Sequence, residues 1–216
     1  MGHWPRFKEV VAPQINAKIL QQLSSNVLSA KADQWAPGKA FFVELLSLKK
    51  VKKLSKTVGN LLLQDPSPEV RRASVFALYD LDCSGCIPYL SRALSDKDNE
   101  VKKAVLMVLG DLGSPSALKS ITGALQDQSQ EIRMAAVEAL SKQKDPSAAQ
   151  VLLKALRDSD KDVRMAALRA LKSVWGDKSK EQFIRAAQDT DWQIRMVAVY
   201  YLKEFGKDSE FLKIYS

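Results

Sequence analysis

Few residues in this chain could carry out chemistry. His3 is the one histidine and lies near the N-terminus, so we expect no histidine-based catalytic triad, and a histidine-rich metal site cannot be built. Cys83 and Cys86 form a single CxxC motif, whereas a structural zinc ion needs four ligands. A redox CxxC usually opens a helix that follows a strand, and no strand pattern occurs here. We interpret the motif as a turn with two incidental thiols, with a surface disulfide as the alternative under oxidation.

The charged residues follow a regular repeat instead. An aspartate recurs every 31 residues from Asp65 to Asp189, and a basic residue follows each aspartate by six positions. A fixed period of this length indicates a stack of identical supersecondary units. No glycine-rich phosphate loop accompanies them. The sequence therefore predicts no catalytic residue, no metal and no cofactor, and the protein is expected not to be an enzyme.

Each unit has the pattern of two helices. Val70, Ala73, Ala77 and Leu78 form an apolar stripe at helical spacing, and their columns recur in every unit. A turn precedes this second helix, called helix B, and the first turn of the helix itself is acidic. A shorter apolar pattern ahead of it predicts a first helix, called helix A. The sequence thus predicts an all-α fold, an α-solenoid of about five helix pairs with an N-terminal helical cap. The expected domains are a basic cap at 1–53, five repeats at 54–208 and the start of a C-terminal capping helix at 209–216.

The repeat pattern, D-x-[DS]-x-x-[VI]-R-x-A with its 31-residue step, resembles the HEAT repeats. It is most similar to the short subtype named after phycobilisome lyases, and the resemblance covers about residues 54–208. The resemblance implies a structural ladder of aspartates and bases that ties adjacent repeats together. The expected ladder pairs are Asp65 and Arg71, Asp96 and Lys102, Asp127 and Arg133, Asp158 and Arg164, and Asp189 and Arg195.

The N-terminal segment carries most of the net charge of +8. Residues 1–60 hold ten Lys and Arg against three acids, a net +7, so the rest of the chain is nearly neutral. Helical spacing over Val10–Leu28 predicts one helix, Pro37-Gly38 is expected to break the chain, and a second helix from Phe41 through Leu54 is expected to run into the first repeat. A helical cap would cover the exposed core of the first repeat.

A cluster of lysines at the end of this segment allows two interpretations. It is either a solvated helix face or a patch that binds phosphates or an acidic protein. Its residues are Lys49, Lys50, Lys52, Lys53 and Lys56.

The main candidate binding surface lies on the B helices, on the side away from their core stripe. In HEAT-like stacks the B helices line the concave face, so these columns are expected to face a partner. They hold methionine, aromatic and basic residues, which are typical of protein-binding surfaces. The alternative is that the methionines pack between neighbouring B helices. The predicted partner-binding residues are Arg72, Phe76, Tyr79, Lys103, Met107, Met134, Met165, Arg169, Lys172, Trp192, Met196, Tyr200 and Lys203.

The function predicted first is a non-enzymatic scaffold in the cytoplasm that binds a protein or peptide on this concave face. The subtype resemblance implies an alternative, a protein that acts on a bilin or on a bilin-carrying protein. A similarity to HEAT-like DNA-alkylation glycosylases implies a third, nucleic-acid binding, although a nearly neutral repeat array provides few phosphate contacts. No apolar run is long enough to span a membrane, and no signal peptide is evident. The C-terminal Phe211, Leu212, Ile214 and Tyr215 could begin a sixth repeat or pair with another chain.

Overall fold

The computed structural model of the protein describes residues 36–48, 50–81, 85–143 and 145–204. In these ranges every regular element is a helix. The predicted helix over Val10–Leu28, the side chains of Lys49 and Cys83, and the C-terminal predictions after residue 204 lie outside the described residues. The α-helices are α1 (Ala36–Leu48), α2 (Ser55–Gln64), α3 (Pro68–Asp80), α4 (Ile87–Ala93), α5 (Asn99–Leu112), α6 (Pro115–Ala124), α7 (Gln130–Ser141), α8 (Ser147–Ala155), α9 (Lys161–Trp175), α10 (Lys180–Ala186) and α11 (Trp192–Glu204), with short 3₁₀ helices at Lys52–Leu54 and Gly176–Ser179.

The helices alternate as the repeat predicts. Helices α2, α4, α6, α8 and α10 are the A helices, and α3, α5, α7, α9 and α11 are the B helices. The first apolar column of helix B is buried in every repeat because it faces the core. That column consists of Val70, Val101, Ile132, Val163 and Ile194. The fold is therefore all-α and of the helical-repeat class.

The local sequence explains where the B helices begin. Asp160 caps α9, because its carboxylate accepts hydrogen bonds from the backbone N–H groups of Asp162 and Val163. Pro68 is the first residue of α3, where a helix needs no N–H donor. The turn before each helix is closed by the repeat aspartate, as where Asp158 accepts from the N–H of Asp160 at 2.9 Å.

The chain divides into two compact units, residues 1–108 and 109–216, and the division falls within α5. In the first unit α1 packs on α3, and α2 packs on α3 and α4. In the second unit α7 packs on α9 and α9 on α11, while each B helix also contacts the A helix of its own repeat.

Three arginines connect consecutive repeats within these units. Each arginine donates Nε and Nη2 to the two carboxylate oxygens of the aspartate 25 residues later, at 2.7–3.0 Å. Its Nη1 donates to two carbonyl oxygens in the turn before its own helix B. The pairs are Arg71–Asp96, Arg133–Asp158 and Arg164–Asp189. Such two-point contacts between a guanidinium and a carboxylate are strong and directional.

The pairing differs in detail from a ladder of residues six positions apart. An arginine contacts only the backbone carbonyl of the aspartate six residues before it, and its ion pair is with the aspartate of the following repeat. Lys102 and Asp127 lie on either side of the division between the units and are both half-buried. Arg195 donates Nη1 to the carbonyl oxygens of Asp189 and Thr190, and its guanidinium has no carboxylate partner among the described residues.

The electrostatics of these pairs follow from their environment. Burial of the Asp189 carboxyl group by itself raises its pKa, but the hydrogen bonds from Arg164 and from the Asp191 N–H outweigh it, so the pKa of Asp189 is lowered. The pKa of Asp158 is lowered in the same way, against burial, by Arg133 and the Asp160 N–H. Both aspartates are therefore held in the ionised form that the arginines require.

The first unit contains a B-like helix that the repeat motif did not reveal. Lys39 of α1 donates Nζ to Oδ2 of Asp65 at 3.0 Å, and both side chains are buried. Asp65 follows Lys39 by 26 residues, nearly the spacing of the arginine pairs, and α1 packs on the B helix α3. Helix α1 thus occupies the position of a B helix ahead of the first repeat, with lysine in place of arginine.

Two predictions about this region are wrong. Pro37 and Gly38 do not break the chain but lie in the first turn of α1, where proline is tolerated. No single helix runs from Phe41 through Leu54, because α1 ends at Leu48. Lys50 then adopts a left-handed backbone with φ 50°, which turns the chain before α2.

Candidate protein-binding surface

The B helices of the second unit have three columns on the side away from their core stripe. We call this surface the B face. The methionine is the fifth residue of each helix, the second column lies four residues later and the third three residues after that. The B-face residues are Met134, Met165 and Met196, then Glu138, Arg169 and Tyr200, then Ser141, Lys172 and Lys203.

The methionine column changes its environment along the repeats. Met134 is 36% exposed and Met196 is 57% exposed. Met165 is only half-buried and packs against the core cluster that contains Leu168 and Phe183. The packing interpretation therefore applies to Met165, whereas Met196 is exposed and its contact with a partner stays a prediction.

Helix α11 carries an exposed apolar stripe that continues from the B-face residues Tyr200 and Met196 to Trp192, one turn before them. Trp192, Met196 and Tyr200 are spaced four residues apart, so they lie on one side of the helix. Trp192 and Tyr200 are each 61% exposed. Isolated exposed hydrophobic residues are ordinary, but a row of three large ones on one helix is not.

Aromatic contacts connect this stripe to the core. The ring of Tyr200 lies edge-on to that of Tyr201 at 5.5 Å, and Tyr201 in turn contacts Phe183 at 5.1 Å. A hydrogen bond from the Tyr200 hydroxyl to the carboxylate of Glu204 raises the pKa of Tyr200. These contacts restrain the Tyr200 side chain before any partner arrives, which lowers the entropy cost of ordering that side chain on binding.

The cations of the B face follow the methionines by one or two helical turns on the same helices. Arg169 and Lys203 are exposed and have no partner among the described residues. Lys172 is half-buried, and its Nζ lies 3.9 Å from Oδ1 of the exposed Asp177. The nine B-face positions hold three basic residues and one acid, Glu138, which is a formal net charge of +2.

A second set of polar contacts joins the starts of the B helices, and sequence reasoning missed it. Gln130 Nε2 donates to Asp160 Oδ1 at 2.9 Å and to Asp162 Oδ2 at 3.3 Å. One repeat later Lys161 Nζ donates to Gln193 Oε1 at 3.0 Å and lies 3.8 Å from Asp191. The acids that recur every 31 residues at the starts of the B helices were the signal in the sequence from which these contacts could have been predicted.

In the first unit the predicted residues lie on the B helices α3 and α5. Arg72 and Phe76 of α3 line a cleft of about 430 Å³, together with Phe41 and Glu44 of α1. Tyr79 lies at the end of α3 and is exposed, as is Met107 on α5. Lys103 is half-buried and pairs with Glu100 on its own helix.

Gly110 belongs to the same column as Tyr79, Ser141, Lys172 and Lys203, which the sequence predicts to face outward, but it turns inward. Gly110 is buried against α7, and a Cβ there would lie 3.0 Å from the Cα of Ala139. The backbone carbonyls of Leu109 and Gly110 both accept hydrogen bonds from Nε2 of the buried Gln143. Glycine at this position permits close packing of two helices and is not part of a binding surface.

The lysine cluster does not lie on one helix face. Lys50 is in the turn after α1, Lys52 and Lys53 are in the 3₁₀ helix, and Lys56 is in the first turn of α2. All four are exposed. The four lysines are therefore solvated, but the prediction that they share one helix face is wrong, and the binding patch stays a prediction.

Within the described ranges, the remaining chemical candidates do not come together as a metal site. Among the described residues, no three side chains of His, Cys, Asp or Glu lie where they could share a metal ion. Cys86 is buried and disulfide-bonded, so its interpretation as an incidental free thiol is wrong. None of the helices in the described part of the chain is long and apolar enough to cross a bilayer.

Comparison with known proteins identifies the family. The model of the HEAT repeats matches residues 55–125, 100–172 and 149–214. The chain belongs to the HEAT-repeat family. No curated protein sequence matches it.

Two solved structures are similar in fold. The complex of CpcE and CpcF of phycocyanin lyase from Nostoc sp. PCC7120 matches with a TM-score of 0.56 and 19% identity, over 82% of this chain and 73% of that chain. A designed armadillo repeat protein in complex with the peptide (KR)4 matches with a TM-score of 0.52 and 18% identity, over 77% of this chain and 90% of that chain. The predicted resemblance to the lyase-like subtype agrees with the first of these similarities, which concerns the fold alone.

Proposed function

We propose that the protein is a non-enzymatic scaffold that binds a protein partner on its B helices. The observation that carries this proposal is the exposed row of Trp192, Met196 and Tyr200 on α11. Burial of such a row on binding provides a large apolar contact, and aromatic residues and methionine are enriched in protein interfaces. Two proteins of similar fold are described in complexes, one with a protein and one with a peptide, which supports the same use of this chain.

A triple variant tests the proposal. Trp192, Met196 and Tyr200 are replaced by alanine, and the tagged full-length protein is used to capture partners from native cell extract, with quantitative mass spectrometry. We expect the triple variant to lose the proteins that the unmodified chain captures. Truncation of large interface residues weakens the binding free energy by on the order of 2 kcal/mol each, and so by several kcal/mol in total.

A matched control separates binding from folding. Gln150 and Lys154 are exposed on the A helix α8, and their replacement by alanine leaves the B face unchanged. Circular dichroism establishes that all variants remain helical. Unchanged capture by the folded triple variant would refute the B-face model, and so would equal loss in the control.

The other two functions stay predictions without a specific observation in their favour. Titration with a bilin, followed by absorbance, tests the lyase-like alternative. Binding of labelled DNA or RNA at two salt concentrations tests the nucleic-acid alternative, because phosphate contacts are strongly salt-dependent.

A further inference from the structure

The charge on the B face favours a partner of opposite sign. Arg169 follows Met165 by one turn and Lys203 follows Met196 by two, and neither has an acid paired to it among the described residues. The acids near the starts of these helices are already engaged, since Asp160 bonds to Gln130 and Asp191 lies near Lys161. A partner that carried lysines would meet unneutralised cations, whereas one that carried carboxylates would pair with them.

The spacing of the apolar residues indicates the secondary structure of the partner. Helices that pack side by side, as α7, α9 and α11 do, lie about 8–10 Å apart. The methionine positions therefore recur at about that interval across the face. A helix rises about 1.5 Å per residue, so apolar residues seven positions apart, about 10.5 Å, match successive B helices. Methionine side chains adapt readily to different apolar shapes.

The B face is poorly suited to an extended peptide. An extended chain leaves its N–H and C=O groups to be satisfied by the protein that binds it. The middle columns have methionines and then Glu138, Arg169 and Tyr200, and the Tyr200 hydroxyl already bonds to Glu204. No row of amide side chains recurs across these positions to pair with an extended backbone. A helix satisfies its own backbone groups internally and needs only apolar and charged contacts.

We propose that the B face of the second unit binds an acidic amphipathic helix of a partner protein, with apolar residues seven positions apart packed on Met134, Met165 and Met196. Its carboxylates pair with Arg169 and Lys203. This inference rests on the proposed function and specifies the chemistry of its partner.

The probe is a fluorescein-labelled synthetic peptide of about 18 residues, long enough to cross three B helices. It has leucine at every seventh position, glutamate beside each leucine and alanine elsewhere. A second peptide has lysine in place of each glutamate, and a third has a central proline that breaks the helix. Fluorescence anisotropy with the full-length chain measures each affinity at low and at moderate salt.

We expect the acidic peptide to bind at least about tenfold more tightly than the lysine peptide, since two ion pairs at a partly dehydrated surface contribute that much together. The double variant Arg169→Glu and Lys203→Glu should reverse this preference. The double variant Lys154→Glu and Arg157→Glu makes the same charge change at exposed positions outside the B face and should leave the preference intact.

Three results would overturn the proposal. They are equal binding of the acidic and lysine peptides, equal binding of the helical and proline peptides, and equal loss in both charge-reversal variants. Failure here is distinguishable from failure of the proposed function. If the Trp192, Met196 and Tyr200 variant loses its cellular partners while no acidic peptide binds, the scaffold function stands and only the partner chemistry is wrong.

Discussion

The substitution Arg164→Ala would measure how strongly the ladder joins two repeats. Arg164 donates Nε and Nη2 to the carboxylate of Asp189 at 3.0 and 2.9 Å. Its Nη1 donates to the carbonyl oxygens of Asp158 and Ser159 at 2.9 and 3.1 Å. Alanine removes all four hydrogen bonds. The Asp189 carboxylate then keeps only the Asp191 N–H at 2.8 Å and a long contact with Thr190 Oγ1 at 3.4 Å.

Arg195 provides a matched control at the same position of the next repeat. Its Nη1 makes the corresponding two bonds, to the carbonyl oxygens of Asp189 and Thr190 at 2.8 and 2.9 Å. It has no carboxylate partner among the described residues. The difference between Arg164→Ala and Arg195→Ala therefore isolates the ion pair with Asp189 from the bonds within the turn.

The expected magnitude follows from burial. Both side chains of the Arg164–Asp189 pair are largely buried, so water screens the pair weakly. Loss of one partner from such a pair leaves a poorly solvated charge, and we expect Arg164→Ala to lower the free energy of unfolding by about 3 kcal/mol. Arg195→Ala removes two neutral acceptor contacts and should cost about 1 kcal/mol.

Urea unfolding followed by circular dichroism gives both values. A double-mutant cycle with Asp189→Ala should give a coupling energy of about 2 kcal/mol between Arg164 and Asp189. Equal destabilisation by Arg164→Ala and Arg195→Ala, or a coupling energy near zero, would refute the view that the ion pair ties the two repeats together.

Three further predictions concern stability. Lys39→Ala leaves the buried carboxylate of Asp65 without its cation and should lower the free energy of unfolding by about 3–5 kcal/mol in urea titrations. A loss no larger than that for an exposed lysine would mean that the pair is not buried in solution. Gly110→Ala places a Cβ against the α7 backbone and should destabilise the protein by about 1–3 kcal/mol. The control Gly123→Ala places its Cβ in open space and should be neutral or stabilising by up to about 1 kcal/mol. The reverse order of stability in thermal unfolding would contradict the close approach of Gly110 to α7. The pKa values of Asp158 and Asp189 are lowered on folding, so their contribution to the free energy of unfolding is fully present above the unfolded-state pKa of about 4 and is lost as the pH falls through the folded-state values. Asp189→Asn should therefore flatten the pH dependence of the free energy of unfolding below pH about 4. An unchanged slope would exclude this aspartate as a source of the pH dependence.

The repeat architecture could be predicted from the sequence because its physical causes are local. Apolar residues at helical spacing, as at Val70 and Ala73, specify a helix with one buried face, and turn residues with an acidic first turn mark where it begins. A 31-residue period then places every unit in the same relation to the next. The family follows from the same residues, and for this reason the prediction and the family match agree so closely.

The candidate surface was predictable only in part. Period and spacing placed Met134, Met165 and Met196 in one column but could not distinguish their environments. Met165 packs against the core cluster while Met196 is exposed, because burial depends on which neighbouring helix covers a position. Gly110 was expected on the outward side for the same reason, yet it lies buried against α7.

The sequence by itself determined the helices, their repeat and the residue types offered by each column, since these depend on contacts within a few turns of the chain. Tertiary structure alone decided which distant residues meet. It paired Arg164 with the aspartate 25 residues later, whereas the motif places an aspartate six residues before it. It also placed Lys39 against Asp65, which made α1 a B-like helix that no motif marks. The reason is geometric. A guanidinium or ammonium group binds whichever carboxylate the packing of neighbouring helices brings within about 3 Å, and the spacing of residues within one repeat does not determine that packing.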